Sequence, residues 1–341
     1  MSEFPESTGA LDAWAAQHIE GYRGPSKATK YSDGQSNPTY RIETPEKSYV
    51  LRCKPRGKLL KSAHMVEREF RVLRALEQAG FPAPKALALC EDESVAGSVF
   101  YLMAHVDGRI FWDPGMAESS VQERAGVYDA MNAALAQLHS IDVAAAGLSD
   151  YGKPGNYFGR QTQRWTEQYR ASETAKVPDM DRLIDWLAAN LPPDDGRVSL
   201  VHGDFRIDNM IFAQRSAKLL AVLDWELSTL GHPFADLAYQ CMQWRLPNGG
   251  EHRGLGGLDR AALGIPSDEA YVAAYCRRMG LDGVPHWRFL IAFSFFRIAA
   301  IVQGVYKRAL DGNASNPQRG IRLGAAVPVM SRLAIAEIEG G

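Results

Sequence analysis

The chemistry of this chain is concentrated in one short polar segment, LVHGDFRIDNMIF, at residues 200–212. Its His202, Asp204 and Asn209 stand between two apolar runs, VSLVH and NMIF, which are typical of short strands. The polar residues between these runs form a loop. A further strand, KLLAVL, ends at Asp224. Polar groups at the ends of strands can face a cleft while the strands stay buried, so this loop is a candidate active site.

Asp204, Asn209 and Asp224 are residue types that phosphoryl transfer requires. A carboxylate accepts the proton of the attacking hydroxyl, an Asn and an Asp hold metal, and a cation steadies the phosphates. Carboxylate and amide oxygens are also the ligands that Mg²⁺ prefers. We therefore predict Asp204 as the catalytic base and Asn209 and Asp224 as metal ligands. His202 is predicted to support the loop rather than to catalyse.

Composition places the chain among ordinary globular proteins. Its 341 residues are 46% hydrophobic and 23% charged, which is enough for two lobes or domains. A net charge of −2 gives no reason to expect nucleic-acid binding. The four cysteines show no metal or disulfide spacing and the N-terminal stretch lacks signal-peptide features, so we expect a cytoplasmic protein. The run FLIAFSFFRIAAIVQGVY is interrupted by Arg297, which predicts a core helix and no membrane insertion.

The chain divides into a β-rich part and a helical part. Three short strand candidates, KATKYSDG, NPTYRIET and SYVLRCK, suggest an antiparallel meander, and AHMVEREFRVLRALEQAG has the apolar spacing of one helix. KALALCE and SVFYLMAHV follow as two more strands. Long helical patterns dominate the remainder. We predict an α+β fold with a nucleotide-binding lobe at residues 1–106 and a helical catalytic and acceptor-binding lobe at residues 107–341.

Two motifs carry a family resemblance. HGDFRIDN followed by VLDWE resembles the signatures of the aminoglycoside phosphotransferase and choline kinase group, relatives of the protein-kinase fold. GQSNPTYRI, VLDWELSTLGHPFADLAY and SFFRIAAIVQGVYKRAL look like the phosphotransferase domain associated with acyl-CoA dehydrogenases, and the likeness runs from about residue 30 to 310. The resemblance implies a two-lobe kinase-like fold, ATP and Mg²⁺ as cofactors, and a functional link to an acyl-CoA dehydrogenase. It assigns to Asp204, Asn209 and Asp224 the roles predicted above.

The resemblance also identifies a phosphate-orienting cation. It places Arg52 where most kinases have a lysine, and strand alternation puts Lys54 on the same face as a reserve candidate. Glu67 and Glu69 are the candidate helix partners. Glu69 falls within the apolar arc of its helix, where a carboxylate needs a buried cation, so we predict that it pairs with Arg52.

The nucleotide is expected to contact two further segments of the small lobe. In the turn SDGQSNPTY, Gly34, Ser36 and Asn37 are predicted to cover the phosphates. The strand YLMAHV is expected to bind the adenine through its backbone from Met103 to His105.

The phosphate acceptor is the least determined part of the prediction. A hydroxyl is required, and the family comparison places six residues near it: Arg206, Asp208, Glu226, Arg160, Arg164 and Trp165. A solvated basic helix face explains residues 153–169 equally well. Because these segments are mixed or basic, a polycationic aminoglycoside is disfavoured. The resemblance to the domain associated with acyl-CoA dehydrogenases instead implies a hydroxyacyl-CoA or related metabolite.

The predicted function is an ATP- and Mg²⁺-dependent phosphotransferase that acts on the hydroxyl of a small molecule. Two alternatives remain open, a catalytically weak pseudokinase that serves as a nucleotide-binding interaction module and an aminoglycoside-type antibiotic kinase. A metal-dependent phosphohydrolase ranks last because it leaves the small lobe unexplained.

Overall fold

The computed structural model describes residues 8–31, 37–55, 65–249, 253–313 and 316–340. The chain folds into two compact units. Unit 1 consists of Met1–Arg109, Ala144–Leu148 and Asn209–Leu227. Unit 2 consists of Ile110–Val143, Ser149–Asp208 and Ser228–Gly341. The units interleave along the chain, so neither is one continuous segment.

Unit 1 is built on a five-stranded antiparallel sheet with the order β1-β2-β3-β5-β4. The strands are β1 (Lys27–Lys30), β2 (Thr39–Glu43), β3 (Ser48–Cys53), β4 (Ala86–Cys90) and β5 (Phe100–Ala104). The first three strands form the predicted meander. Strands β4 and β5 do not continue the meander in chain order, because β5 and not β4 pairs with β3. This places Arg52 opposite Tyr101 in the middle of the sheet.

One face of this sheet is covered by a helix that the sequence did not predict. Helix α1 (Gly9–His18) contributes Leu11 and Ala15 to a core that also contains Tyr49 and Leu51 of β3. Unit 1 also contains the short helix α3 (Glu93–Ala96). Unit 1 thus contains more helices than the one predicted for the small lobe.

The predicted helix of unit 1 is α2 (Val66–Gln78). Its buried face includes Val66, Leu73 and, unusually, the carboxylate of Glu69. The chain turns at Gly80, whose φ of 67° lies in the left-handed region that glycine tolerates.

A hairpin from later in the chain completes unit 1. It consists of β7 (Met210–Phe212) and β8 (Leu219–Val222). The Val222 N–H donates to the carbonyl of Pro82 at 2.9 Å, and Arg109 forms an isolated bridge with Phe212. These bonds fix the strand that leads to Asp224.

Unit 2 is mainly helical. Its helices are α4 (Val121–His139), α5 (Tyr157–Ser172), α6 (Pro178–Ala189), α7 (Phe234–Trp244), α8 (Arg260–Leu263), α9 (Asp268–Met279), α10 (Trp287–Leu310), α11 (Pro317–Gly324) and α12 (Ala326–Glu339). Within the described residues of unit 2, the strands β6 (Ser199–Val201) and β9 (Thr229–Gly231) pair antiparallel. The strand VSLVH therefore pairs with β9, which was not predicted.

Helix α10 forms the centre of unit 2. It is long and apolar enough to cross a membrane by length and composition, but 78% of its most apolar window is buried inside the protein. Phe289 and Phe293 of this helix pack edge-on against Phe158 of α5. Its burial agrees with the prediction of a core helix.

Candidate active site

The centre of the candidate site in unit 1 is the guanidinium of Arg52. Its Nε lies 2.9 Å from Oε2 of Glu69, outside hydrogen-bond geometry, so this contact is an ion pair. Its Nη2 donates to Oδ1 of Asp224 at 2.7 Å and to Oε2 of Glu226 at 3.1 Å. One largely buried cation thus contacts three carboxylates, and the predicted pairing of Arg52 with Glu69 is present.

Glu69 is held by two further donors. Asn37 Nδ2 donates to its Oε1 at 2.9 Å, and Tyr101 Oη donates to its Oε2 at 3.0 Å. Burial raises the pKa of Glu69, an effect that the charge of Arg52 offsets only in part. Burial alone would lower the pKa of Arg52. The charges of Glu69, Asp224 and Glu226 raise it by more than burial lowers it, so Arg52 stays charged.

Asn37, predicted to cover phosphates, contacts the helix glutamate through its side chain. Gly34 and Ser36 lie outside the described residues, and their proposed contacts with the phosphates stay predictions. The reserve cation, Lys54, forms a close ion pair with Glu67. Arg52 in β3 and Lys54 just beyond it therefore form ion pairs with different glutamates of α2, Glu69 and Glu67.

The two predicted metal ligands both belong to unit 1. Asp224 follows β8 by two residues and has a φ of 66°, a left-handed conformation that is uncommon outside glycine. The Leu223 N–H donates to the carbonyl of Asn209 at 2.7 Å, which ties the two ligand-bearing segments together. About a third of the Asp224 side chain is exposed.

Carboxylate and amide oxygens at these two positions suit Mg²⁺, which commonly takes one or two protein carboxylates and completes its shell with phosphate and water. Over the part of the chain that the structure describes, no group of three or more His, Cys, Asp or Glu side chains is arranged to hold a metal.

The predicted adenine segment lies in β5 and just beyond it. Met103 pairs with Val50 in the sheet. His105 lines an open cleft of about 600 Å³ in unit 1, together with Arg41 and Ser48, and this volume is in the range of small-molecule sites. Burial and the nearby charge of Arg41 lower the pKa of His105.

In unit 2, the loop that carries Asp204 is fixed by a buried carboxylate. Asp236 accepts hydrogen bonds from the backbone N–H groups of His202, at 2.6 Å, and Gly203, at 2.8 Å. The Asp204 N–H donates to Nδ1 of His202 at 3.1 Å, in agreement with the supporting role predicted for His202. Burial alone would raise the pKa of Asp236, but the hydrogen bond and charge of His139 and the contacts with His202 lower it.

The carboxylate of Asp204 also has a direct partner. Tyr239 Oη donates to its Oδ1 at 2.5 Å, and Tyr239 is almost completely buried. The guanidinium of Arg297 lies 5.5 Å from the centre of the Tyr239 ring. Burial and the charge of Asp204 raise the pKa of Tyr239, so the phenol remains a donor.

Sequence reasoning missed both Asp236 and Tyr239. They lie three residues apart on α7, in the stretch FADLAY, and so share one face of the helix. The available signal was an Asp and a Tyr at helical spacing within an apolar helix, where polar side chains need partners.

The six predicted acceptor residues belong to both units, five to unit 2 and Glu226 to unit 1. Arg206 Nε donates to Oδ1 of Asp208 at 2.5 Å in unit 2, whereas Glu226 belongs to the ion cluster of unit 1. Arg160 donates to the backbone carbonyls of Lys153 and Pro154, so it stabilises the start of its own helix.

Trp165 is only 8% exposed, and its ring is approached by Arg164 at 5.2 Å and by Arg297 at 5.9 Å. Its indole Nε1 donates to Gln161. These contacts favour a packing role for Trp165 over the stacking of an acceptor on its face.

Comparison with known proteins adds the family. A model described as the phosphotransferase enzyme family matches residues 27–290. The chain belongs to this family. It is also 51% identical over 294 residues to mouse acyl-CoA dehydrogenase family member 10, an alignment that covers 86% of this chain and 27% of the mouse protein. The predicted resemblance is thus confirmed, and the chain spans about a quarter of that relative.

Solved structures of related proteins share the fold. A Ralstonia eutropha protein, provisionally named an aminoglycoside phosphotransferase, is 46% identical with a TM-score of 0.88 over 99% of both chains. Spectinomycin phosphotransferase, solved with ADP and spectinomycin, is 13% identical with a TM-score of 0.64 over 98% of this chain and 99% of that chain. The predicted kinase-like α+β fold is confirmed.

Proposed function

We propose that this phosphotransferase transfers a phosphoryl group from ATP, with Mg²⁺, to a hydroxyl of a small molecule. The observation that carries the proposal is the ion cluster of unit 1, in which Arg52 contacts Glu69 and Asp224. Kinases use a cation paired with a helix glutamate to orient the phosphates, and a carboxylate to hold the metal. The ADP in the related spectinomycin phosphotransferase supports a nucleotide donor.

Each residue has a defined task in this proposal. Asp204 accepts the proton of the attacking hydroxyl, and Tyr239 keeps its carboxylate oriented through the bond to Oδ1. Arg52 orients phosphate oxygens with a planar fork that a lysine lacks. Asn209 and Asp224 would hold Mg²⁺, which when bound supplies positive charge that offsets the charge of the phosphates. The backbone from Met103 to His105 is proposed to bind the adenine.

For the acceptor, we propose a hydroxyacyl-CoA or a related metabolite. The name of the mouse relative supports this class and a functional link to an acyl-CoA dehydrogenase. A cytoplasmic location belongs to the same proposal, and the four cysteines, all buried free thiols, are compatible with a reducing compartment.

The test is a phosphate-transfer assay with ATP, Mg²⁺ and a panel of hydroxyacyl-CoA esters, sugars and aminoglycosides, read by mass spectrometry for an added phosphate. We expect the wild-type protein to phosphorylate a hydroxyacyl-CoA. Asp204→Asn should abolish the transfer and retain Mg²⁺-dependent ATP binding, whereas Asp224→Asn should weaken that binding as well. Wild-type protein that binds no ATP and modifies no member of the panel would refute the proposal.

A second candidate is a nucleotide-binding module without catalysis. The observation that favours it is the arginine at the cation position, which holds the metal-ligand candidate Asp224 at 2.7 Å. In that case ATP would raise the thermal stability of the wild-type protein. Neither the wild-type protein nor the Arg52→Lys variant would yield phosphorylated product. Transfer to an aminoglycoside alone would instead identify an antibiotic kinase.

A further inference from the structure

A small cleft in unit 2 lies beside the loop that carries Asp204. Its walls include Arg206 and Asp208 of the loop, Gln240 of α7, and two residues from other segments, Trp112 and Arg253. The space inside is about 10 Å³, which is close to the minimum for a single water molecule or one oxygen atom of a ligand. The cleft is thus sized for one polar atom or a small polar group that enters it.

Gln240, which lines the cleft, has a side-chain amide nitrogen that the fold does not use. It is 1% exposed, and its Oε1 accepts a hydrogen bond from Tyr271 Oη at 2.6 Å. Its Nε2 is buried and has no hydrogen-bond partner among the described residues. A buried amide N–H without a partner is destabilising, so an acceptor atom that reaches it would be bound favourably.

The charges around the cleft favour an anion. Arg206 donates through Nε to Asp208, and Arg253 Nη1 lies 3.8 Å from the same carboxylate. Two guanidinium groups therefore share one carboxylate. The Arg253 guanidinium also lies 5.1 Å from the centre of the Trp112 ring, which is 47% exposed. Arg206, Arg253 and Asp208 together leave one excess positive charge at the cleft, so an oxyanion is attracted to it more strongly than a positively charged amine.

The loop that contains Asp204 and helix α7, which contacts Asp204 through Tyr239, both contribute residues to the cleft. Arg206 follows Asp204 by two residues, and Gln240 follows Tyr239, which donates to Asp204. Burial alone would lower the pKa of Arg206, but its bond to Asp208 and the charge of Asp204 raise it, so the guanidinium remains charged beside the base. A ligand group in the cleft would be held by residues whose backbone is continuous with that of the base.

We propose that this cleft is the part of the acceptor site that binds an oxyanion of the acceptor, a carboxylate or a phosphate, through Gln240 Nε2, Arg206 and Arg253. The inference rests on the proposed function, because it assumes that Asp204 faces the acceptor hydroxyl. It defines the acceptor class as a hydroxyl compound that carries an anionic group. Polycationic acceptors are disfavoured at this cleft.

The experiment measures binding and needs no turnover. Protein labelled with ¹⁵N is titrated with 3-hydroxybutyrate, with inorganic phosphate and with the cationic analogue 4-amino-2-butanol, and the side-chain amide resonance of Gln240 is followed by NMR. Gln240→Leu assigns this resonance by its loss. We expect 3-hydroxybutyrate, phosphate or both to shift the Gln240 resonance, and we expect the amine to leave it unchanged. Which of the two anions causes the shift shows whether the cleft binds a carboxylate or a phosphate.

Variants then test the assignment of the donors. Arg253→Gln, at a partly exposed position, should weaken oxyanion binding by about tenfold or more, because it removes a charge-assisted hydrogen bond. Gln240→Leu should weaken it as well, measured from the remaining backbone resonances of α7. Arg288→Gln, at an exposed arginine on the first turn of α10, is the matched control and should have no effect.

The proposal is overturned if neither oxyanion perturbs Gln240 in the wild-type protein. It is also overturned if Arg253→Gln binds as tightly as Arg288→Gln, or if the amine binds as well as the oxyanions. Mg²⁺-dependent ATP binding, measured on the same samples, reports on the proposed function separately. A protein that binds ATP but no oxyanion contradicts only the inference, whereas one that binds the oxyanion but no ATP contradicts the kinase proposal.

Discussion

Replacement of Arg52 by alanine should destabilise the protein strongly, because it leaves a buried carboxylate without its cation. The side chains of Arg52 and Glu69 are 13% and 3% exposed. Removing one partner of a buried ion pair costs about 3–5 kcal/mol. Glu69 would keep its hydrogen bonds from Asn37 and Tyr101, and the other two carboxylates are partly exposed and can be hydrated. We therefore expect a loss of about 3 kcal/mol, at the lower end of this range.

The control lies two residues away. Lys54 pairs with Glu67, and these side chains are 26% and 32% exposed, so Lys54→Ala should cost about 1 kcal/mol or less. Both free energies of unfolding are measured by urea-induced unfolding followed by circular dichroism at neutral pH. Arg52→Lys restores one charge but not the fork that spans three carboxylates, and should fall between the two alanine variants. If Arg52→Ala costs no more than Lys54→Ala, the ion cluster does not stabilise unit 1 and the reasoning fails.

Three further predictions concern the base, pH dependence and chain packing. Tyr239→Phe should lower kcat of the phosphate transfer by about tenfold or more, with ATP affinity unchanged, since a bond to the base is lost; an unchanged kcat would exclude this role. Burial lowers the pKa of His232 below 6.5, so the unfolded chain takes up the proton first, and stability should fall as the pH drops below 6.5. Urea midpoints of His232→Asn, compared with wild type across this range, should show a weaker pH dependence. Gly108→Ala should cost about 1–3 kcal/mol in the same unfolding assay, because its Cβ would lie 2.5 Å from the Phe212 carbonyl oxygen, whereas Gly283→Ala, with open space around it, should be neutral.

The local features of the site were accessible from sequence because they depend on short-range periodicity. The choice of Glu69 over Glu67 followed from the position of Glu69 within the apolar arc of α2, and the structure places it against Arg52. The position of Arg297 within the apolar run identified α10 as a core helix despite its apolar length. For α2, one helix face determines which side chains are buried.

The parts that were missed depend on contacts between distant segments. Asp236 and Tyr239 lie more than thirty residues beyond the loop that they hold, and no local pattern indicates which carboxylate or phenol will reach it. The position of β5 between β3 and β4 in the sheet likewise depends on pairing between segments that are distant in the chain. For Trp165, an acceptor-binding role and a solvated basic helix face were both left open, because its contact with Arg297 of another helix is not visible in its own segment.

The interleaving of the two units limits how this protein can be divided or recombined. A fragment of residues 1–109 would retain Arg52 and Glu69 but would lack the segment Asn209–Leu227, which supplies Asp224. A single crossover or truncation at the end of the first segment therefore separates Arg52 from Asp224 and Glu226, two of the three carboxylates that it contacts. Domain swaps between members of this family must transplant that later segment together with the N-terminal one, and homologous recombination within this gene is subject to the same constraint.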